Sequence, residues 1–350
     1  MIKKLPPDIM NSIKSPNVSI IILNWNGWED TIECLESIYQ SNYSNYNIII
    51  VDNDSKDDSI KRIKNYCEGR IKVESDFFTY DEKNKPINVL ICEEDEIKYS
   101  NLKNHQFKLL TKGLTIIKNK KNYGFAKGNN IGIQYAVNTQ IPDYVFLLNN
   151  DTVIDENSLV NLVKKGESSE KIGVLGPTIY YYQSNGQNNL IESTGGKLIK
   201  KFPGYYPINI NVIDGNIKCD EDVDWISGAA MMLKFKNIDV NYLNTEFFFG
   251  CEDVDLCIKL KKEGLRIVVA PKAKIWHKMA KSRNKKYRNM EKSFYNILSG
   301  QTQGVKTNLK FLKKHNKYFY WFLPIYAPTI MREYLYYILM KFKFNIKRKN

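Results

Sequence analysis

Four apolar runs of strand length, each giving way to a polar segment rich in Asn, Asp or Gly, constrain this chain more than any other feature. Val18-Ser-Ile-Ile-Ile-Leu23 ends at Asn24-Trp-Asn-Gly27, and Asn47-Ile-Ile-Ile-Val51 runs directly into Asp52-Asn-Asp-Ser-Lys-Asp-Asp58. Leu114-Thr-Ile-Ile117 precedes Asn122-Tyr-Gly-Phe-Ala-Lys-Gly-Asn-Asn-Ile-Gly132, and Tyr144-Val-Phe-Leu-Leu148 terminates in Asn149-Asn150-Asp151-Thr152. Runs without polar alternation are the pattern of strands covered on both faces, as in parallel sheets. Between them apolar residues recur at helical spacing, as at Ile32, Leu35, Ile38 and Tyr39. The alternation predicts an α/β domain whose mostly parallel central sheet is flanked by helices, with ligands bound beyond the carboxyl ends of the strands. Asn24 and Asp52 then lie where a nucleotide could sit, with turn formation as the competing reading of the same residues.

Two later segments carry chemistry of their own. In Phe247-Phe-Phe-Gly-Cys-Glu252-Asp253-Val-Asp255-Leu256 an aromatic run stops at a glycine and three carboxylates open a helix, which Gly264 closes. Carboxylates in a first turn are expected to stay ionised near the positive end of the helix dipole, and one of them could take a proton from an attacking hydroxyl. Plain helix capping is the alternative. At the end of the previous run, Asp151 with Asn149 offers oxygen ligands to a hard divalent cation bridging phosphates. The glycines of Asn122–Gly132 let backbone approach a ligand closely. Arg266-Ile-Val-Val-Ala270 reads as a strand, after which Ala270-Pro-Lys-Ala-Lys-Ile-Trp-His277 brings a histidine that is either structural or a ligand. From Tyr180 to Asp224 the chain is turn-rich, and from Glu74 to Lys112 the pattern degrades into what reads as an insertion on the domain edge.

At 350 residues and 43% hydrophobic content the chain can bury a large core, which excludes a disordered protein. Its net charge of +14 suggests nucleic acid until the charge is located. Residues 281–350 hold 17 Lys and Arg against two acidic residues, whereas the first 280 hold 35 basic and 36 acidic. The basic character thus belongs to a tail, where lysines interleave with the uncharged aromatic run Tyr318–Met331. That pattern suits helices lying on an anionic membrane surface better than nucleic acid, and the run is short for a spanning helix. The six cysteines lack metal or redox spacing and read as reduced thiols, and residues 1–17 lack a signal-peptide run. The expected organisation is a lead of residues 1–17, a core domain over 18–280 with the insertion at about 74–112, and a helical basic tail over 281–350. The expected location is the cytoplasm, peripheral on the cytoplasmic face of a membrane.

Taken together, five ordered motifs resemble the family 2 inverting glycosyltransferases with the GT-A fold, in particular their rhamnosyltransferase-like branch. They are Ser19-Ile-Ile-Ile-Leu-Asn-Trp-Asn26, Ile50-Val-Asp-Asn-Asp-Ser55, Asn122–Gly132, Leu147-Leu-Asn-Asn-Asp151 and Gly250-Cys-Glu-Asp-Val-Asp-Leu256. The resemblance covers roughly Val18 to Lys278. It implies that Asp52 holds the donor's pyrimidine base, with Asn24, Asn26, Asn122, Gly124, Asn129, Asn149 and Asn150 around the nucleotide sugar. It implies that Asp151, and His277 as in some relatives, bind a divalent cation, Mn2+ or Mg2+, although Asn149 departs from the first aspartate of the family's Asp-x-Asp. Asp253 matches the general base with Glu252 beside it, and Trp225, Gly228 and Asp255 fall on the acceptor side.

The implied activity is metal-dependent transfer of a sugar, with rhamnose as a candidate, from a dTDP- or UDP-linked donor to a glycan or lipid-linked acceptor, with inversion. Two other readings stay open: the same fold with another UDP-sugar (galactofuranose, N-acetylhexosamine or hexose), and a non-catalytic protein binding nucleotide sugar or nucleic acid. The intact Glu252-Asp253 and Asp151 argue against an inactive relic, and no nucleic-acid recognition motif is evident.

Overall fold

The apolar runs become adjacent strands in register, so that the same side chains meet across each pair. In this computed structural model, which describes residues 15–99, 113–182, 189–199, 205–215, 222–237, 243–278, 307 and 309–315, β1 (Val18–Asn24) lies between β2 (Tyr46–Asp52) and β5 (Tyr144–Asn149), parallel to both. Ile20 faces Ile48 on one side and Phe146 on the other, and Ile22 faces Ile50 and Leu148. All are buried. Each such side chain contributes about 1.5–3 kcal/mol of burial free energy, set against the entropy of ordering it.

Period-two alternation sends successive residues of these strands to opposite faces. Ile20, Ile22, Ile48 and Ile50 pack with Ile32, Leu35 and Ile38 of α1 (Trp28–Tyr39) and with Ile63 of α2 (Ser59–Cys67). Ile21, Ile49 and Val51 pack on the other face, in the same core cluster as Ile133 and Ala136 of α4 (Gly124–Thr139) and Val254 and Leu260 of α6 (Glu252–Lys262). The remaining elements are β3 (Val89–Glu93), α3 (Glu94–Tyr99), β4 (Leu114–Lys118), β6 (Thr152–Ile154), α5 (Ser158–Gly166), β7 (Ile172–Tyr181), β8 (Ile191–Ser193), β11 (Ala230–Lys234) and β12 (Arg266–His277). Among the described residues they build a ten-stranded sheet in the order β3-β4-β2-β1-β5-β11-β7-β12-β6, with β8 on β7. A separate pair joins β9 (Gly196–Leu198) to β10 (Tyr205–Pro207).

Two segments contribute more than their sequences show. The segment read as an insertion supplies β3, which extends the parallel sheet as its edge beside β4. Before it, Lys85 Nζ sits 2.9 Å from Glu36 Oε2 on α1, both side chains almost fully buried, so this segment is tied to the core by a buried ion pair. The strand beginning at Arg266 runs on to His277, pairing with β7 and then β6. Its continuation is what carries His277 to the site.

Of the tail, only residues 307 and 309–315 are described, and 309–315 are helical. The aromatic run Tyr318–Met331 and the closing lysines lie outside the described residues, as does residue 1–14 of the lead. Among the described residues no helix is long and apolar enough to cross a membrane. Cys34, Cys67, Cys92, Cys251 and Cys257 are free thiols and buried.

Candidate active site

The carboxyl ends of β1 and β2 stop level with each other, Asn24 opposite Asp52 in the register. Asn24 is fully buried and spends its amide on orientation. Its Nδ2 donates to Asp52 Oδ1 at 2.7 Å and to Ser55 Oγ at 3.1 Å, while its Oδ1 accepts from Thr31 Oγ1 at 2.9 Å. Asp52 also accepts from the Ser55 hydroxyl at 2.6 Å and from the Ser55 backbone N–H at 3.0 Å. Three of the carboxylate's acceptor positions are thus taken within the protein. Asn26, in the left-handed region at φ 53°, ties the same loop together by accepting from the Lys56 N–H at 2.7 Å. Asn53 reaches across to the glycine-rich loop, donating to Asn122 Oδ1 at 3.0 Å and to the Gly124 carbonyl at 3.2 Å.

Gly124 is where that loop meets the aromatic run. It has φ +78°, and a Cβ there would lie 2.5 Å from the Phe248 carbonyl oxygen, so only glycine fits. The next N–H, of Phe125, donates to that same oxygen at 2.9 Å. Phe248 and Phe249 remain about half exposed beside it.

At the end of β5 the polar residues turn to His277. Its Nε2 lies 3.3 Å from Asp151 Oδ1 and 3.5 Å from the Asn149 amide, and its Nδ1 donates to Glu192 Oε2 at 2.9 Å. Burial alone would push the imidazole down, but hydrogen bonds to Asp151 and Glu192 outweigh it and raise the group to about 10. Burial likewise would raise Asp151, yet the hydrogen bond and charge of His277 hold it below the ordinary carboxylate range. An imidazole nitrogen, a carboxylate and an amide that can present its oxygen form a mixed N/O donor set suited to Mn2+. Among the described residues no three His, Cys, Asp or Glu side chains form a ready-made metal cage. A cation held by these three donors would need further oxygens, such as those of a substrate phosphate.

The acidic helix reaches this edge through β11. The Asn149 N–H donates to the Ala229 carbonyl at 2.9 Å, and the neighbouring Gly228 N–H donates to Asp253 Oδ2 at 2.8 Å. Asp253 Oδ1 accepts from the Val254 N–H at 2.8 Å. The chain enters α6 through Gly250 at φ 88° and Cys251 at φ 70°, the latter a strained conformation for a residue with a side chain. The expectation that all three carboxylates stay ionised fails for Glu252. It is buried with Oε2 unpaired, and burial first, then the charge of Asp253, pushes it up to about 8. Asp253 is also raised by burial, but its two backbone N–H donors oppose the rise. Those donors favour leaving the pair's negative charge on Asp253.

The structure therefore brings together Asp52, Asn122, Gly124, Asn149, Asp151, His277, Gly228 and Asp253 along one edge of the sheet. It sets others behind that edge. Asn24 orients Asp52 from the core, Asn129 is buried with its amide on the Phe125 carbonyl at 3.0 Å, and Asn150 binds Thr31 Oγ1 at 3.0 Å. Trp225, expected on the acceptor side, is a core residue lying edge-on to Tyr205 with ring centroids 5.4 Å apart. Asp255 is likewise not free for an acceptor: Lys314 at 2.8 Å and His315 Nε2 at 2.6 Å occupy it. Sequence reasoning missed Glu192, Asn53, Ser55 and Thr31. Asn53 and Ser55 stand beside Asp52 and could have been flagged, whereas Glu192 sits in the turn-rich stretch with no local signal.

Comparison with known proteins gives a consistent result. The model of glycosyl transferase family 2 matches residues 19–85 and 99–237, more than half of the chain. Rhamnosyltransferase WbbL of Escherichia coli (strain K12) is 27% identical over 162 residues, 43% of this chain and 58% of that protein. Low-salt glycan biosynthesis hexosyltransferase Agl10 of Haloferax volcanii is 24% identical over 238 residues, 66% of this chain and 66% of that protein. The matches thus span less than two thirds of either relative. Among solved structures, GalNAc-T7 with UDP, GalNAc and Mn2+ superposes with a TM-score of 0.51 at 14% identity, over 92% of this chain and 58% of that one. That is a likeness of fold.

Proposed function

Since this chain belongs to glycosyl transferase family 2 and has the GT-A fold, we propose that it transfers a sugar, with inversion, from a nucleoside diphosphate sugar to a hydroxyl of a glycan or lipid-linked acceptor. The observation that carries the reading is the position of Asp253. Its carboxylate is fixed by two backbone N–H groups, and a short path through Gly228 and Ala229 links it to the strand end that bears Asn149 and Asp151. In this reading Asp253 takes the proton of the incoming hydroxyl as its oxygen bonds to the anomeric carbon. The bond from that carbon to the diphosphate breaks, and its electron pair leaves with the diphosphate. One displacement without a covalent sugar intermediate inverts the anomeric carbon. Asp151 and His277, with Asn149, would hold a divalent cation, Mn2+ or Mg2+, which when bound offsets the charge on the departing diphosphate. Asp52 would hold the base of a dTDP- or UDP-linked donor, dTDP-rhamnose among the candidates.

A relative named as a rhamnosyltransferase supports that donor class, and the basic tail supports peripheral attachment to the cytoplasmic face of a membrane. The test is release of nucleoside diphosphate from a panel of dTDP- and UDP-sugars with Mn2+ or Mg2+ and with chelator, followed by proton NMR of the product anomer. The reading expects one donor to be consumed only with metal and the anomeric configuration to invert. Retention of configuration would overturn the single-displacement mechanism. For the tail, deletion from Tyr318 onward should move the protein from the membrane to the soluble fraction; sedimentation of the truncated chain with membranes would contradict the attachment.

A further inference from the structure

His277 uses its two ring nitrogens in different directions. Nε2 points at Asp151 Oδ1 and the Asn149 amide, while Nδ1 is held by both oxygens of Glu192, at 2.9 and 3.2 Å. The backbone fixes the ring from both flanks. The Tyr182 N–H donates to the His277 carbonyl at 3.0 Å, and the Lys278 N–H donates to the Asp151 carbonyl at 2.9 Å. Glu192 comes from β8, the hairpin partner of β7, and its side chain is 13% exposed. In the neutral form that can bind a cation, an imidazole whose Nδ1–H is engaged by a carboxylate presents Nε2 as its lone-pair face. That face is turned to the other donors of the candidate cation site. A carboxylate behind a histidine ligand sets the tautomer, fixes the ring and makes the ligating nitrogen more basic.

We propose that Glu192 is the positioning residue of the cation site, holding His277 so that Nε2 faces the metal beside Asp151. The assignment rests on the reading above that Asp151 and His277 hold a divalent cation. The hairpin β7–β8 then serves the cation site through His277. An ion pair with a purely structural role would leave metal affinity unchanged when its carboxylate is neutralised.

The test is Mn2+ binding, with and without UDP, followed by the electron paramagnetic resonance of free Mn2+ in the full chain. Wild type is compared with Glu192→Gln, Glu192→Ala, His277→Ala and Asp151→Asn. Glu192→Ala should weaken Mn2+ about 10–100-fold. Glu192→Gln, whose amide oxygen still accepts from Nδ1–H and which keeps the side-chain volume, should lose less. The nitrogen hyperfine coupling of an imidazole ligand should be clear in wild type and weakened in Glu192→Ala. Wild-type affinity in both Glu192 variants, with loss in His277→Ala and Asp151→Asn, would overturn the role of Glu192 alone. Mn2+ binding that is indifferent to all four substitutions would overturn the cation site itself.

Discussion

A general base must be charged when the hydroxyl arrives, and the residue beside Asp253 influences that condition. Glu252 is pushed up to about 8, chiefly by burial and then by the charge of Asp253. Between the ordinary carboxyl range and about 8 the native state binds more protons at Glu252 than the unfolded chain does. Stability from this group is therefore fully present at low pH, falls as pH rises through that window and levels off above it. Glu252→Gln should flatten the fall in thermal midpoint between about pH 5 and 9. An unchanged slope would show that Glu252 is not the titrating group. At neutral pH the same substitution replaces a largely protonated acid by a neutral isostere, so turnover should fall far less than in Asp253→Asn, which removes the proposed base. Losing a positioned acid or base costs about 10²–10⁴-fold. Sequence alone located these carboxylates but misjudged the charge of Glu252, since the helix dipole is legible in a motif and burial at 4% exposure is not.

At the scale of elements, α6 is held from behind by the described part of the tail. Asp255 projects nearly opposite Asp253 on the helix and is paired with Lys314 and His315, while Phe311 lies edge-on to Tyr205. Burial alone would raise Asp255, but the hydrogen bonds from His315 and Lys314 hold it below the ordinary range. Its contribution to stability is thus present above the unfolded carboxyl value and lost as pH falls through the lowered one. His315→Ala leaves a buried carboxylate short of a partner and should cost about 1–3 kcal/mol, read from denaturant unfolding at neutral pH. A change below about 0.5 kcal/mol would mean that 309–315 do not brace α6. On the other side of the sheet, Lys85→Met removes the cation paired with Glu36, whose fully buried carboxylate keeps hydrogen bonds from Gln40, Tyr66, Asn84 and the Asp81 N–H, and should cost about 3–5 kcal/mol in denaturant unfolding. The strands β1, β2, β4 and β5 were legible because their sequences are uninterrupted apolar runs. The reach of β12 was not: Pro271 and the lysines at 272 and 274 break the pattern, and only pairing with β7 and β6 keeps the chain extended to His277.

For the whole molecule, the account is that one edge of a mostly parallel sheet collects groups scattered from Asp52 to His277, a distance in sequence that no local pattern encodes. The family motifs marked the strand ends, so most of the edge could be named in advance. What could not be named are residues acting through others: Asn24 turned out to orient Asp52 from the core, and Glu192 emerged only from the hairpin that folds it against His277. Removing the cation should stop turnover while leaving the fold, since Asp151 and His277 pair with each other without it. Chelated protein should therefore be inactive with a near-native circular dichroism spectrum, and unfolding on chelation would contradict this. The most direct test of the central claim is to measure sugar transfer and donor binding together, in wild type and Asp253→Asn, with the donor identified from the panel. The account predicts that Asp253→Asn binds donor and metal as wild type does but releases nucleoside diphosphate about 10²–10⁴-fold more slowly. Turnover by Asp253→Asn at the wild-type rate would contradict it, because the proton would then be leaving by another route.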